Sequence, residues 1–475
     1  MKPYAWMLSI ALVLSGCAAV GPDYTPPSIS VPDAWTSRPE IVETNAAADL
    51  SRWWLTLKDD ELTALISRAL QKNLSVRGAI ARIREARVRR GISESRFFPQ
   101  VNASANLQHS RNSVNAGLGG ERDLYMAGLD AGWELDIFGG TRRAVEAAQA
   151  NLEATHENLR NVYASLAAEV ALSYLDLRTQ QTRLAIAEQN LAVQQETLNL
   201  VKSRFDAGLV TELDVNQAVY NLKDTQAQIF LLKNGITQAQ HSIAVLLGLP
   251  PAALKAELDA PGPVPVASLT LAMGVPADVL RNRPDVRQAE RQLAAQTAQI
   301  GVATADLYPK FTLTGSIGLE AFHLDKFFQY DSRTFGIGPG VQWNVFDAGS
   351  IRRNIEVQTA LQEQALVQYE TTVLNALKEV EDALSAFAEE YQRLNALREG
   401  EQAAGNAVNI ATAQYKAGIV DFQAVLETQR SLLSLQDQAT QSEANVTGNL
   451  VRLYKALGGG WQIEVKNDTG AQGHS

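Results

Sequence analysis

The chain has 475 residues, of which 46% are hydrophobic and 20% charged, and its formal net charge at pH 7 is −10. This is the composition of a folded protein, and the acidic balance argues against nucleic acid as a partner. The single cysteine, Cys17, excludes an intrachain disulfide, and the absence of an 18-residue apolar run beyond the N-terminal segment argues against a membrane-spanning helix.

Residues 1–16 have the pattern of a secretory signal peptide, with an apolar core too short to span a bilayer as a mature helix. The run Leu14–Cys17 resembles a bacterial lipobox, which implies cleavage before Cys17 and attachment of diacylglycerol and palmitate to it, with no other cofactor. An ordinary signal with a stray cysteine is the alternative. Because two alanines rather than aspartate follow, the resemblance favours transfer to the outer membrane, where acyl chains would anchor the protein in lipid.

Residues 17–58 are predicted to form an N-terminal arm, since the stretch up to about residue 49 is rich in proline, serine and asparagine. Apolar residues at helical spacing then predict a short helix over 59–72. A second helix is expected over about 75–97, ending before Pro99.

An alternation of period two predicts two strand hairpins, over about 100–136 and about 310–346. One face of each hairpin is polar and rich in glycine. The other face is apolar and comprises Val101, Ala103, Ala105, Leu107, Tyr125, Ala127, Leu129, Ala131 and Trp133 in the first hairpin and Phe311, Leu313, Ile317, Leu319, Phe335, Ile337, Val341, Trp343 and Val345 in the second. Such strands are typical of a membrane-spanning β-barrel wall, with Trp133, Trp343 and Tyr125 as interface aromatics. A soluble sandwich, whose strands also alternate, is the alternative.

Four strands cannot close a membrane barrel. The smallest such barrels have about eight strands, and an open edge in lipid leaves backbone groups unpaired at several kcal/mol each. The chain is therefore expected to oligomerise.

A long helix follows each hairpin, over about 141–206 and about 351–416. The first contains no proline or glycine and would be roughly 100 Å long at 1.5 Å per residue. Leucine or phenylalanine recurs every seven residues at Leu177, Leu184, Leu191, Leu198 and Phe205, which predicts a coiled-coil seam.

Each long helix ends in a glycine turn, and a returning helix follows over about 212–247 and about 422–457. The seams of the returning helices also repeat every seven residues. Glycine supplies the left-handed residue that ends one helix, and Thr211 or Asp421 can cap the next. Each half thus forms an antiparallel helical hairpin.

An offset of 210 residues superimposes one half of the chain on the other without a gap. Pro99 then coincides with Pro309, Trp133 with Trp343, and Ala207-Gly208 with Ala417-Gly418. The first repeat, with its linker, occupies 59–282 and the second 283–458, and a tail follows over 459–475. A period this long indicates two large packed halves rather than a solenoid.

Catalytic and metal-binding patterns are absent from the sequence. The five histidines lie far apart, with no i,i+4 pair and no cysteine partner, so neither a zinc site nor any other metal site is expected. No nucleophile elbow occurs, and the glycines at 336–340 lie inside a strand pattern rather than in a phosphate loop. The chain is not expected to be an enzyme.

Several motifs, in their order along the duplicated chain, resemble the outer-membrane factors, the TolC-like and OprM-like channel proteins of tripartite efflux and type I secretion. They are Leu14–Cys17, Val20–Tyr24, Arg283–Val286, Tyr308-Pro309, Trp343–Gly349 and the two Ala-Gly turns. The resemblance covers essentially the whole mature chain and implies a mainly helical fold with membrane strands. Three copies would form a twelve-stranded β-barrel and a long α-helical coiled-coil barrel.

The resemblance also implies partners and sites. The partners would be two further copies of the chain, outer-membrane lipid, a periplasmic adaptor (membrane fusion protein) and an inner-membrane pump of the RND type. The tips that dock the adaptor would be Gly208, Leu209, Val210, Gly418, Ile419 and Val420. Acidic residues of a periplasmic gate would be Asp214, Asp421 and Glu427, with Ala424 departing from a fully acidic pattern; charge compensation at the helix N-termini is the alternative role.

The implied function is a passive, lipid-anchored exit duct for drugs or other small molecules, extending from the outer membrane into the periplasm. A type I protein secretion channel and a trimeric coiled-coil adhesin are the alternatives. The two interruptions of helix by strands favour the duct over the adhesin.

Overall fold

A computed structural model describes residues 19–36, 42–43, 50–113, 115, 119–266, 271–272 and 276–461. Its α-helices are α1 Asp60–Lys72, α2 Leu74–Ser95, α3 Gly140–Asp206, α4 Glu212–Leu246, α5 Lys255–Leu258, α6 Pro276–Asn282, α7 Pro284–Ala305, α8 Ser350–Lys416 and α9 Phe422–Ala456. Its strands are β1 Val42–Glu43, β2 Gln100–Asn112, β3 Gly120–Leu135, β4 Leu271–Ala272, β5 Lys310–Ala321 and β6 Arg333–Gln342. The predicted signal peptide, Cys17 and most of the C-terminal tail lie outside the described residues.

The four long strands form one antiparallel sheet in the order β2-β3-β5-β6. Its register brings the predicted apolar faces together, because Leu129 opposes Ala103 on one side and Ile317 on the other, and Ile317 opposes Phe335. Within one chain this apolar face lies open: Phe335 is 87% exposed and Ile337 78%. The alternation predicted from the sequence is therefore present in the sheet.

The second hairpin ends earlier than the predicted boundary at 346. The last pair between β5 and β6 is Lys310 with Gln342, so Trp343 and Val345 lie beyond the strand. The physical reason is that Pro309, directly before β5, has no N–H with which to continue the ladder.

Both repeats tie the base of their hairpin in the same way. The indole Nε1 of Trp133 donates to the carbonyl of Phe97 at 2.9 Å, and that of Trp343 donates to the carbonyl of Leu307 at 3.0 Å. The two tryptophans and the two carbonyls are each separated by the repeat offset. The duplication thus preserves individual contacts as well as element order.

The long helices α3 and α8 each contain 67 residues. In α3, Leu177 and Leu198 of the predicted seam are buried, and Leu184 and Leu191 pack against buried neighbours. Phe205 departs from the prediction: it is 42% exposed, because the helix ends one residue later at the turn. No helix among the described residues is both long and apolar enough to cross a membrane.

The chain divides into two compact units. One contains the sheet and lies within residues 1–29, 81–156 and 288–371, and the other lies within 30–80, 157–287 and 372–475. The second unit also contains the two-residue parallel pair of β1 with β4 and a 3-10 helix, Leu50–Leu57, neither of which the sequence pattern predicts.

In the sheet-containing unit, the described start of the arm is clamped by Arg143. Its buried guanidinium donates to the carbonyls of Val20 and Gly21 at 3.1 and 3.3 Å and to the carboxylate of Asp23 at 2.6 Å. Gly301 gives the clamp room, since a Cβ there would lie 2.7 Å from Cγ of Arg143. The arm is thus held in a closely fitted groove.

Candidate functional site

The ends of four helices pack together around the two glycine turns. We call residues 207–211, between α3 and α4, the first tip turn and residues 417–421, between α8 and α9, the second tip turn. The buried residues of this cluster are Leu198, Val201, Ala218, Leu222, Ala411, Tyr415, Phe422, Val425 and Leu426. Both turns are therefore built on one apolar core within the same unit.

The two tip turns have the same backbone geometry. Gly208 has φ +71° and Gly418 has φ +75°, the left-handed region that favours glycine. The N–H after each glycine donates back five residues, from Leu209 to the carbonyl of Arg204 at 2.8 Å and from Ile419 to that of Gln414 at 2.9 Å. This is the Schellman pattern that ends a helix.

Side chains in the tip turns divide into an exposed and an inward set. Leu209 is 66% exposed and Ile419 71%, whereas Val210 and Val420 pack against the apolar cluster. Of the residues predicted to dock an adaptor, Leu209 and Ile419 thus present apolar surface. Val210 and Val420 hold the turn in place, and Gly208 and Gly418 shape it.

Two of the three predicted gate carboxylates form helix caps. The Asp214 carboxylate accepts the backbone N–H and the hydroxyl of Thr211, both at 2.8 Å, at the start of α4. The Asp421 carboxylate accepts the N–H of Ala424 at 3.1 Å at the start of α9. Glu427 is exposed and has no hydrogen bond to another described residue. These contacts fit the charge-compensation alternative, and the gate role stays a prediction.

Arg204 and Tyr415 form a contact between α3 and α8 that the sequence does not indicate. The Arg204 guanidinium lies 4.6 Å from the centre of the Tyr415 ring and donates to the Tyr415 carbonyl. Burial raises the pKa of the Tyr415 hydroxyl, which has no hydrogen-bond partner among the described residues. The only sequence signal is that Tyr415 coincides, under the repeat offset, with Phe205 of the predicted seam.

Polar contacts join the helices farther from the turns. The Arg183 guanidinium on α3 makes two hydrogen bonds to the Asp437 carboxylate on α9, at 2.6 and 3.1 Å. Nearer the turns, Arg430 on α9 donates to Asn221 on α4 at 2.9 Å. These residues lie more than 200 positions apart, so no local pattern in the sequence could pair them.

A model of the outer membrane efflux protein family matches residues 65–249 and 275–459, which correspond to the two repeats. Nodulation protein T of Rhizobium leguminosarum bv. trifolii is 32% identical, over 96% of this chain and 97% of that protein. The toluene efflux pump outer membrane protein TtgF of Pseudomonas putida is 30% identical, over 97% of this chain and 98% of that protein. Among solved structures, the outer-membrane channel OprN is 36% identical with a TM-score of 0.87, over 94% of this chain and all of that chain.

Proposed function

Because this chain belongs to the outer membrane efflux protein family, we propose that it forms the passive exit duct of a tripartite efflux system. Three copies assemble the duct in the outer membrane. An inner-membrane pump of the RND type and a periplasmic adaptor deliver the substrate to it. The chain itself supplies a conduit and no catalysis.

The observation that carries the assembly is the incomplete sheet. Strands β2 and β6 form its two edges, and they run in opposite directions because every neighbouring pair is antiparallel. An edge in lipid leaves backbone groups without partners, whereas β6 of one copy and β2 of the next can satisfy each other. Three copies give twelve strands, and the exposed apolar face then meets lipid.

The tip turns are the proposed meeting point with the adaptor. Leu209 and Ile419 offer exposed apolar side chains on turns held rigid by the inward-facing Val210 and Val420. The proposed gate comprises Asp214 in the first turn of α4, Asp421 at the N-cap of α9 and Glu427 in the second turn of α9. The capping contacts of the two aspartates place their charges beside the turns.

Anchorage by lipid on Cys17 completes the proposal. The clamp of Arg143 on Val20 and Gly21 supports it, because a fixed segment so near the cysteine would keep the acyl chains beside the sheet-containing unit. The substrates are drugs or other small molecules. The relative named for toluene efflux supports small apolar molecules as one class.

Deletion of the gene tests the function. The deletion strain should accumulate a fluorescent efflux substrate and become more sensitive to a panel of antibiotics and solvents, and the wild-type gene should reverse both changes. A matched control is the variant Leu209→Asp/Ile419→Asp, which should reach the outer membrane as a trimer yet fail to restore efflux. Unchanged accumulation and sensitivity across the panel would contradict the proposal.

A further inference from the structure

One glycine of the edge strand β6, Gly338, has no steric explanation within one chain. Gly336, Gly338 and Gly340 lie on the polar face, and none has a positive φ. A Cβ at Gly340 would lie 2.8 Å from Oγ1 of Thr312, and one at Gly336 would lie 3.3 Å from Oγ of Ser316, so contacts within the chain account for these two glycines. A Cβ at Gly338 would meet no described atom within 4 Å. Glycine weakens a strand and often marks a close approach of another backbone. The close approach of a strand from another chain would account for Gly338.

The repeat supplies the geometry of that neighbour. The contact of β3 with β5 joins the second strand of the first hairpin to the first strand of the second hairpin. A contact of β6 with β2 of the next copy likewise joins the second strand of a second hairpin to the first strand of a first hairpin. The two junctions are equivalent under the offset of 210 residues, so the observed junction is a template for the one between copies.

At the observed junction, Gly128 opposes Gly318. The strands approach closely there, because a Cβ at Gly128 would lie 2.9 Å from the carbonyl oxygen of Ile317, and one at Gly318 would lie 2.7 Å from that of Ala127. Adding the offset of 210 to Gly128 gives Gly338, and subtracting it from Gly318 gives Gln108. The observed junction therefore predicts that Gly338 lies opposite Gln108. The same step places Gly336 opposite Ser110 and Gly340 opposite Asn106.

We propose that β6 of one copy pairs with β2 of the next in this register, with Gly338 making room for the side chain of Gln108. Each of the three glycines then faces a side chain, Ser110, Gln108 or Asn106, on the same face of the sheet. The register keeps the polar and apolar faces of the two copies aligned, which a shift by one residue would not. The inference rests on the proposed trimer and adds the residues of its strand contact.

Cysteine cross-linking in the full-length protein, in outer membranes, tests the register. A disulfide needs Cα atoms within about 7 Å, and the strands of one chain place β2 and β6 roughly 14 Å apart, with two strands between them. The variant Gly338→Cys/Gln108→Cys should therefore form a covalent trimer, and no cross-link within one chain, on mild oxidation. The matched controls Gly338→Cys/Ser104→Cys and Gly338→Cys/Asn112→Cys move the partner four residues along the same face, about 13 Å, and should lose the cross-link.

Outcomes separate this inference from the function on which it rests. An intact trimer that cross-links through a control pair, or through none of the three, overturns the register and leaves the channel standing. A parent protein that is monomeric overturns both.

A second measurement distinguishes a glycine needed for contact between copies from a glycine needed only to keep the polar face of the sheet open. Gly132 also lies on the polar face with open space at its Cβ, but in β3, between two strands of its own chain. Gly338→Val should lower the temperature at which the trimer dissociates on a gel, and Gly132→Val should leave it unchanged. Equal effects of the two substitutions would contradict the proposed contact.

Discussion

Alanine at Gly301 and at Gly91 should change stability in opposite directions. The two glycines are separated by the repeat offset and lie at the same place in α7 and α2, four residues before the last residue of the helix. In an exposed helix interior, Gly→Ala stabilises by about 1 kcal/mol. At Gly91 a Cβ meets nothing within 4 Å, so Gly91→Ala should show that gain.

At Gly301 the added methyl would lie 2.7 Å from Cγ of Arg143, and Arg143 must move. Moving it breaks the bonds to the carbonyls of Val20 and Gly21. Hydrogen bonds to a charged group are worth about 1.5 kcal/mol or more each, so the loss is about 3 kcal/mol. The helical gain of about 1 kcal/mol is the same with the arm docked or open, so Gly301→Ala should destabilise arm docking by about 3 kcal/mol.

Proteolysis of the arm in detergent-solubilised protein measures this difference. An opening free energy lower by about 3 kcal/mol corresponds to a cleavage rate about 150 times higher near Tyr24. Gly91→Ala is the control and should leave the rate unchanged while raising the unfolding temperature slightly. Arm cleavage in Gly301→Ala at the wild-type rate would refute the packing argument.

Three further predictions concern the tip turns and the start of α8. Arg204→Ala should lower the stability of the tip by about 2–3 kcal/mol, because it removes both the contact with the Tyr415 ring and the hydrogen bond to the Tyr415 carbonyl. Arg204→Lys should restore only part of that stability. Hydrogen exchange of the tip amides measures the change, and full rescue by lysine would contradict the prediction. Asp214→Asn should keep the capping hydrogen bonds to Thr211 but remove the negative charge. If that charge holds the gate closed, the conductance of the reconstituted protein should rise. Asp214→Ala should also cost about 1 kcal/mol of helix stability. The Asp347 carboxylate accepts hydrogen bonds from the N–H groups of Ile351 and Gly349, which lowers its pKa. Its stabilising effect is therefore fully present above the ordinary pKa of 3.8 and is lost as the pH falls through the lowered pKa. Hydrogen exchange at the first turn of α8 should rise over that pH range in the wild type and show no such dependence in Asp347→Asn.

Features that depend on local pattern could be predicted from the sequence. The alternation of Leu129, Ile317 and their neighbours set the sheet faces, and the heptads set α3 and α4 to within one or two residues. The glycines at 208 and 418 marked the turns, because only glycine adopts their φ without strain.

Features that depend on distant partners could not be predicted. The contacts of Arg204 with Tyr415 and Arg183 with Asp437 join residues more than 200 positions apart, and nothing nearby in sequence signals them. Similarly, the exposure of Leu209 and the burial of Val210 differ only because the turn directs one outward and one toward the cluster, which composition alone does not distinguish.

The number of copies in the assembled particle tests the central claim most directly. Protein extracted from outer membranes in mild detergent should give a native mass of three chains with their lipid. A monodisperse single chain that is recovered from the cells without detergent would contradict the account, because one chain supplies only four of the strands that a closed barrel requires.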